Sequence, residues 1–333
     1  MSAPDPRTIA LPPFTPARGL SNGHVMTIAA WASTRTYPGL PAPEARFFQT
    51  TAETQILAHC HWQPERHTRP TLVALHGLEG SSNGHYMRGL AHQAWLRGWN
   101  AVRLNHRNCG GTEHLTPTLY HSGLTEDAFA VITQLTAEGL PHFGVAGYSL
   151  GGNLTLRIAG ESATVPERAG LPIRAVAAVS PTMDLQVCTD AIERPMNFPY
   201  QWNFMKDLRA RMRRKITQWP GTFDAQPLAR VRTIREFDDA YTAPTAGFGT
   251  AANYYHQASA MRLIDRVTIP TLIISAEDDP FVPAEQFRRP EVVSNPHVRV
   301  LLERHGGHCG FKSRTGYWAE ETAVRFIAAF MPS

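Results

Sequence analysis

The 333-residue chain holds 43% hydrophobic and 18% charged residues, a balance that supports a large buried core and argues against global disorder. Its formal net charge is only +4 at pH 7, which by itself does not indicate a nucleic-acid-binding protein. The four cysteines lie far apart without a C-x-x-C pair, so neither a disulfide framework nor a thiolate zinc site is indicated.

The N-terminal segment, residues 1–43, is rich in proline and lacks the apolar stretch typical of a secretion signal. We predict that it forms an arm packed on a larger body, with one short helix near residues 22–32. No later segment holds eighteen consecutive apolar residues, the length that a membrane-spanning helix requires. We therefore expect a soluble, cytoplasmic protein.

Strand-like runs begin after this arm. Two alternating segments, EARFFQT and QILAHCHW, are predicted to open a sheet as an antiparallel pair. Helical patterns at residues 86–97, 126–138, 150–160 and 316–331 separate most of the later strands, which predicts an α/β fold with a mostly parallel eight-stranded sheet and helices on both faces. The later strands are short apolar runs of the buried type: TLVALHG, NAVRLN, FGVAG, IRAVAAVS, PTLIISA and VRVLLE.

One interval between strands is too long for a single crossover connection. About ninety residues separate IRAVAAVS from PTLIISA, so we predict a helical cap inserted after the sixth strand, with a second helical stretch near residues 250–261. The predicted organisation is an arm at 1–43, a core at 44–181 and 262–333, and a cap or lid insertion at 182–261.

Gly147-Tyr148-Ser149-Leu150-Gly151 fits the pattern G-x-S-x-G, the nucleophile elbow. The serine of such an elbow sits on a strained turn between a strand and a helix, and the residues two before and two after it must be small for the backbones to pass. The pentapeptide lies between the strand HFGVA and the helical pattern LGGNLTLRIAG. We interpret Ser149 as a catalytic nucleophile; the alternative is a simple glycine-rich turn.

A serine hydroxyl needs a general base, and the segment after the last strand, RHGGHCGF, supplies two histidines. We favour His308, which is preceded by two glycines and leads into the terminal helix, and His305 is the alternative. Interpreted as a metal site, the same H-x-x-H lacks a third ligand at suitable spacing, so no metal is predicted.

The acid that orients the base is expected just past the strand PTLIISA, in the loop EDDP. Adjacent side chains point in different directions, so only one acid can address His308. The spacing from Asp279 to Pro283 matches the D-x-h-V-P loop usual in this fold class, and we therefore favour Asp279. Asp278 or Glu277 is then an acid that caps the loop.

Two backbone amides are expected to form an oxyanion hole. One is the N–H of Leu150, directly after the nucleophile, and the other is the N–H of Leu78, after the strand that ends at His76-Gly77. A phosphate loop is excluded because GLEGSS lacks the lysine of that motif, and no G-x-G-x-x-G follows a strand. We interpret the segment YHSG, residues 120–123, as structural, with pocket lining as the alternative.

Several motifs together resemble the YheT-type (AB hydrolase-4-like) branch of the α/β-hydrolase superfamily, whose eukaryotic relatives include esterases and phospholipases acting on medium-chain lipids. The resemblance spans nearly the whole chain and implies an α/β-hydrolase fold, a triad of Ser149, Asp279 and His308, ester hydrolysis, and no metal or organic cofactor. One departure is Asn108, where an Arg-Gly-Cys-type turn is expected; asparagine tolerates a left-handed backbone, so the turn can survive. The motifs are HGLEGSSNGHYMRGL, NHRNCGG, YHSGLTEDA, GYSLGGN, TIREFDDAYTAPTAGF, AEDDPF and HGGHCGF.

The predicted cap contains FMKDLRARMRRKITQW, a basic amphipathic helix. Its apolar positions are Met205, Leu208, Met212 and Ile216, and lysines and arginines crowd the rest: Lys206, Arg209, Arg211, Arg213, Arg214 and Lys215. We interpret it as a cap helix whose apolar face covers the pocket. Transient contact with an anionic membrane surface is the alternative, and nucleic-acid binding is disfavoured because no aromatic platform accompanies the charges.

The sequence therefore predicts a serine hydrolase that cleaves carboxylic esters of short to medium acyl chains, including small-molecule or lipid esters, through an acyl-enzyme. A thioesterase or acyltransferase that uses the same triad is one alternative. A non-catalytic protein that acts at membrane surfaces is another, although no triad member is missing. Residue patterns leave the natural substrate and the oligomeric state open.

Overall fold

The centre of the molecule, a computed structural model that describes residues 4–332, is one eight-stranded sheet. Its strands are β1 (Glu44–Thr51), β2 (Thr54–His61), β3 (Thr71–Leu75), β4 (Asn100–Leu104), β5 (Phe143–Tyr148), β6 (Ile173–Val179), β7 (Thr271–Ala276) and β8 (Val298–Glu303). They are ordered β1-β2-β4-β3-β5-β6-β7-β8, and β2 is antiparallel to both of its neighbours while all other pairs are parallel. The predicted fold class is confirmed.

Twelve α-helices are found within residues 4–332, and each predicted helical pattern falls on one of them. They are α1 (Gly23–Ala32), α2 (His85–Trp95), α3 (Glu126–Ala137), α4 (Leu150–Thr164), α5 (Pro166–Ala169), α6 (Leu185–Ile192), α7 (Phe198–Gln218), α8 (Ile234–Phe237), α9 (Ala243–Thr245), α10 (Ala251–Ala258), α11 (Pro290–Val293) and α12 (Trp318–Ala328). Helices α6 to α10 all lie in the interval between β6 and β7.

Successive side chains of a strand point to opposite sides of the sheet, so the buried strands present apolar residues on both faces, and both faces are covered. In β3, Leu72 and Ala74 join a core that includes side chains of α2 and α12. Val73 and Leu75 join a second core, to which α3, α4 and helices between β6 and β7 contribute. All five residues of β3 are buried, as expected for a central parallel strand.

The segment before β1 contacts the last helix. The Arg35 guanidinium contacts the Glu320 carboxylate at 2.5 Å, and both side chains are buried. Arg35 also stacks on the Tyr317 ring, 3.2 Å from its centroid. Residues 1–3 of the predicted arm and residue 333 of the predicted core lie outside the described residues, and the division into arm, core and cap stays a prediction.

The carboxyl ends of the parallel strands meet at one edge of the sheet, as they must in this architecture. Ser149 follows β5, and Leu78 lies three residues after β3. The loop after β7 carries Asp278 and Asp279, and the loop after β8 carries His308. The topology therefore brings residues 230 positions apart in the chain to one end of the sheet.

Candidate active site

Ser149 occupies a sharp bend between β5 and α4, with φ 56° and ψ −117°. A β-carbon at Gly147 would clash with the carbonyl of Gly151, and one at Gly151 would clash with the carbonyl of Leu75. Both glycines are therefore needed for the bend to form beside β3. The bend directs the Ser149 side chain out of the sheet, at the N-terminus of α4.

The structure brings Ser149, His308 and Asp279 together in one hydrogen-bonded series. The Ser149 hydroxyl donates to His308 Nε2 at 2.9 Å, and His308 Nδ1–H donates to Asp279 Oδ2, also at 2.9 Å. Asp279 is fully buried and the His308 side chain is 9% exposed. This arrangement lets the imidazole accept the serine proton at one nitrogen while the carboxylate fixes the other.

The two adjacent aspartates have separate partners. The second oxygen of Asp279, Oδ1, accepts hydrogen bonds from the N–H groups of Phe281 at 3.1 Å and Val282 at 3.0 Å. Asp278 instead accepts from the Gly307 N–H at 2.9 Å and lies 3.3 Å from His305 Nδ1. Asp278 thus supports the loop that carries His308, and His305 faces Asp278 rather than Ser149.

A residue of the N-terminal segment also holds this histidine, which the sequence patterns did not indicate. The His308 N–H donates to Thr27 Oγ1 of α1 at 2.8 Å, and the Thr27 hydroxyl donates to the carbonyl of Gly23 at 2.7 Å. Gly23 packs so closely on Asp278 that any side chain there would overlap its carbonyl. Helix α1 is therefore built into the support of both loops.

Two opposed effects act on the pKa of His308. Burial in the closed site favours the neutral imidazole, but the charge and hydrogen bond of Asp279 favour the imidazolium and outweigh it, so the pKa is raised above its ordinary value. The ring also packs on Phe281, with 4.1 Å between centroids. The environment of His308 therefore stabilises its imidazolium form.

The turn after β3 lies directly beside the nucleophile. A β-carbon at Gly77 would lie 3.2 Å from Ser149 Cβ, and the Gly77 N–H donates to the Tyr86 hydroxyl at 3.0 Å. Within residues 4–332, the N–H groups of Leu78 and Leu150 donate to no acceptor. Leu78 and Leu150 line the same cleft as Ser149, so two unpaired amides belong to residues beside the nucleophile.

Buried histidines fix this turn. His76 Nδ1–H donates to the Gly77 carbonyl at 2.7 Å, and its Nε2 accepts from the His106 N–H at 3.1 Å. Burial lowers the pKa of His76 far below its ordinary value, so the ring is neutral. Nearby, Asn108 adopts φ 66°, the left-handed conformation that asparagine was expected to tolerate at this turn.

A cleft that is partly open to solvent extends from Ser149 toward the helices between β6 and β7. Its walls are mainly apolar, and they include Leu185, Phe204, Leu208 and Ile234. Polar side chains interrupt these walls, among them Tyr120, His121 and Ser122 of the YHSG segment and Arg211 of α7. The YHSG segment therefore lines the pocket as well as packing on the core.

Helix α7 differs from the predicted amphipathic pattern. Met205, Leu208 and Met212 are buried as predicted, but Arg211 and Lys215 are buried with them, so the assignment of all six cations to the polar face is wrong for these two. Lys215 Nζ donates to the carbonyl of Glu113 at 3.0 Å. A helical pattern cannot show that a long cationic side chain reaches a partner inside the fold.

Neither a metal centre nor a membrane span is evident in the described part of the chain. No group of three or more histidine, cysteine, aspartate or glutamate side chains is arranged to hold a metal ion within residues 4–332. Over the same residues, no helix combines the length and apolarity needed to cross a membrane.

Comparisons with known proteins find relatives over most of the chain. The alpha/beta hydrolase fold family matches residues 70–315. The chain is 36% identical to YheT of Escherichia coli (strain K12), to which an esterase activity has been ascribed, over 96% of this chain and 94% of YheT. It is 32% identical to Phospholipase ABHD3 of Mus musculus over 76% of this chain, and that match spans 61% of the mouse protein.

A comparison with a solved structure supports the fold of this chain, and the low sequence identity carries no conclusion about activity. The esterase Pf2001 of Pyrococcus furiosus superposes on this chain with a TM-score of 0.61, covering 98% of both chains at 14% sequence identity.

The separate roles of the two aspartates can be tested by NMR. Asp279→Asn removes the charge that raises the pKa of His308, so burial then dominates and we expect that pKa to fall by roughly 1–3 units. Titration of the imidazole ¹⁵N resonances measures it. Asp278→Asn is the matched control and should leave the His308 pKa near the wild-type value; a larger shift in the control than in Asp279→Asn would contradict the geometry.

Proposed function

The chain belongs to the alpha/beta hydrolase fold family, in its YheT-type branch of esterase- and lipase-type hydrolases, and on that premise we propose that Ser149, His308 and Asp279 form its catalytic triad. The substrate in this proposal is a carboxylic ester with a short to medium acyl chain, and the reaction proceeds through an acyl-enzyme. The observation that carries the proposal is the series of two 2.9 Å hydrogen bonds from Ser149 through His308 to Asp279.

In the first half of the reaction, Ser149 Oγ attacks the ester carbonyl while His308 Nε2 takes the hydroxyl proton. The negative charge that develops on the carbonyl oxygen is stabilised by the N–H groups of Leu78 and Leu150. His308 then gives its proton to the leaving alcohol, and the acyl group remains on Ser149.

In the second half, a water molecule takes the place of the alcohol. His308 accepts a proton from the water as it attacks the acyl carbonyl, and the same proton returns to Ser149 when the acid leaves. Asp279 keeps Nδ1 protonated and stabilises the imidazolium in both halves. Because His308 must be neutral to accept a proton, hydrolysis should decline as the pH falls below the raised pKa of His308.

The cleft supports the substrate class. Its apolar walls suit an acyl chain, and its lining residues come from the core and from the helices between β6 and β7. The same triad would also serve a thioesterase, which cleaves a thioester bond, or an acyltransferase, which passes the acyl group to an acceptor other than water. A cytoplasmic location stays a prediction.

The nucleophile is tested with p-nitrophenyl esters from acetate to palmitate. Wild type should hydrolyse the short and medium esters, and Ser149→Ala should lower kcat by roughly 10⁶-fold. A fluorophosphonate probe should label wild type and not the variant. Equal labelling of both proteins would mean that the nucleophile is elsewhere, and ester hydrolysis unchanged in Ser149→Ala would overturn the proposal.

We also propose that the entrance to the cleft contacts an anionic lipid surface. Exposed apolar side chains lie on one face of α1 (Val25, Ile28, Trp31) and at the start of α7 (Phe198, Trp202). A 3.1 Å hydrogen bond between His24 and Tyr200 joins the two helices. Tyr200 in turn packs on Phe281, the residue that contacts the His308 ring, so these faces flank the path to the triad.

Charge favours an anionic surface over a neutral one. Lys206 is exposed and lies 5.9 Å from the centroid of the Trp202 ring, and Arg213 is exposed two turns further along α7. Exposed cations beside exposed aromatic rings are the combination that anionic lipid headgroups attract.

Vesicle sedimentation tests this contact. Wild type should bind phosphatidylglycerol vesicles more strongly than phosphatidylcholine vesicles, and Trp31→Ala/Trp202→Ala should weaken that binding by roughly tenfold or more because two large apolar side chains are lost. Leu96→Ala, which removes an exposed apolar side chain at the end of α2, is the control. Equal binding by wild type and the double variant would refute the contact.

A further inference from the structure

Arg211 of α7 is a buried cation whose ion pair uses only one of its three guanidinium nitrogens. Its side chain is 5% exposed, and its Nε donates to both carboxylate oxygens of Glu79, at 2.8 Å and 3.1 Å. Its other two nitrogens, Nη1 and Nη2, donate to no protein acceptor within residues 4–332, and Nη1 is fully buried. A buried donor without an acceptor is unfavourable and calls for an explanation.

The side chain is also fixed in position. Glu79, which pairs with it, accepts a hydrogen bond from the Tyr120 hydroxyl at 2.9 Å, and the Glu79 N–H donates back to the same hydroxyl at 3.0 Å. The Arg211 guanidinium carbon lies 4.8 Å from the centroid of the Tyr120 ring. An arginine held on two sides in this way presents its remaining N–H groups in one direction, with little rotamer entropy left to lose.

The Arg211 side chain borders the substrate cleft, and Nη2 is its one guanidinium nitrogen that is neither paired nor fully buried within residues 4–332. Arg211 lines the same cavity as Ser149, and so does Leu78, the neighbour of Glu79 in the chain. The donor therefore lies on the side of the cleft that the proposed oxyanion hole occupies. Neither Arg211 nor Glu79 takes part in the proposed proton transfers, so ester hydrolysis itself does not account for the unpaired donors.

On the basis of the proposed ester hydrolysis, we propose that Arg211 recognises a second oxygen of the substrate, in an ester whose acyl or alcohol part carries a neutral hydrogen-bond acceptor such as a hydroxyl, ether or carbonyl oxygen. A plain hydrocarbon ester would leave the donors unsatisfied. Sites built to hydrogen-bond a substrate group discriminate strongly against analogues that lack it.

The charges around Arg211 favour a neutral acceptor over an anion. Glu79 already neutralises the guanidinium, and a second carboxyl, Asp238, lines the cleft and accepts from the Tyr255 hydroxyl at 2.7 Å. His121 also lines the cleft, and burial lowers its pKa to about 4, so it adds no positive charge at neutral pH. An anionic ligand group would therefore meet more negative than positive charge.

Binding to a protein that cannot turn over the ester tests this recognition separately from catalysis. Calorimetry on Ser149→Ala makes two matched comparisons. The first sets p-nitrophenyl octanoate against the analogues in which one methylene, from C4 to C7, is replaced by oxygen. The second sets propyl octanoate against 2-hydroxyethyl octanoate. At least one oxygenated ester should bind about 10- to 100-fold more tightly than its hydrocarbon match, the range expected for a hydrogen bond from a charged donor.

Variants in the same Ser149→Ala background identify the donor. Arg211→Lys keeps the charge that pairs with Glu79 but loses the planar fork, and it should reduce the preference to within about twofold. Glu79→Gln/Arg211→Met removes both charges together, leaves no unpaired buried ion, and should also abolish the preference. Arg214→Lys, at an exposed position of the same helix, should leave the preference unchanged.

No preference for any oxygenated ester would overturn the inference, and so would a preference that survives both Arg211 variants. Hydrolysis by the wild-type enzyme separates this failure from that of the proposed function. Plain esters that are hydrolysed without an oxygen preference leave the triad standing and refute the role of Arg211. Oxygen-dependent binding without hydrolysis of any ester would support the role of Arg211 and refute the proposed ester hydrolysis.

Discussion

The strained bend at Ser149 is the feature on which the rest of the site depends. A serine at φ 56° is in a region that side chains rarely adopt, and such residues cost on the order of 1–3 kcal/mol each. The structure tolerates this conformation because two glycines let the backbones of β5, α4 and β3 pass at close range. The same bend leaves the Ser149 hydroxyl beside the turn after β3 and within 2.9 Å of His308. The bend thereby sets the position of the Ser149 hydroxyl relative to both.

The partner of that serine is held from several independent parts of the chain. Asp279 fixes one nitrogen of His308, Thr27 accepts its backbone N–H, and Asp278 accepts the N–H of the preceding Gly307. An imidazole carried by a loop needs this support, because small displacements from the productive geometry lower the rate of proton transfer steeply. Helix α1 of the N-terminal segment therefore contributes to the site even though it lies outside the sheet.

Local patterns were sufficient to predict the strands, the main helices and the elbow, since strand and helix periodicity and the steric demands around Ser149 act over a few residues. The placement of Asp279 rather than Asp278 against His308 also followed from loop spacing. Arg211, Glu79 and Thr27 could not be found in this way. Their partners lie 132 or 281 positions away, and an arginine in a run of cations is usually a solvated residue, so its burial depends on a tertiary contact that no short window contains.

The most direct test of the account is a crystal structure of the enzyme after reaction with a p-nitrophenyl alkylphosphonate. We expect phosphorus bonded to Ser149 Oγ, one phosphonyl oxygen within about 2.7–3.1 Å of the N–H groups of both Leu78 and Leu150, and His308 Nε2 facing the oxygen that stands for the leaving alcohol. Phosphorus on another residue, or a phosphonyl oxygen directed away from both amides, would contradict the mechanism at its central step.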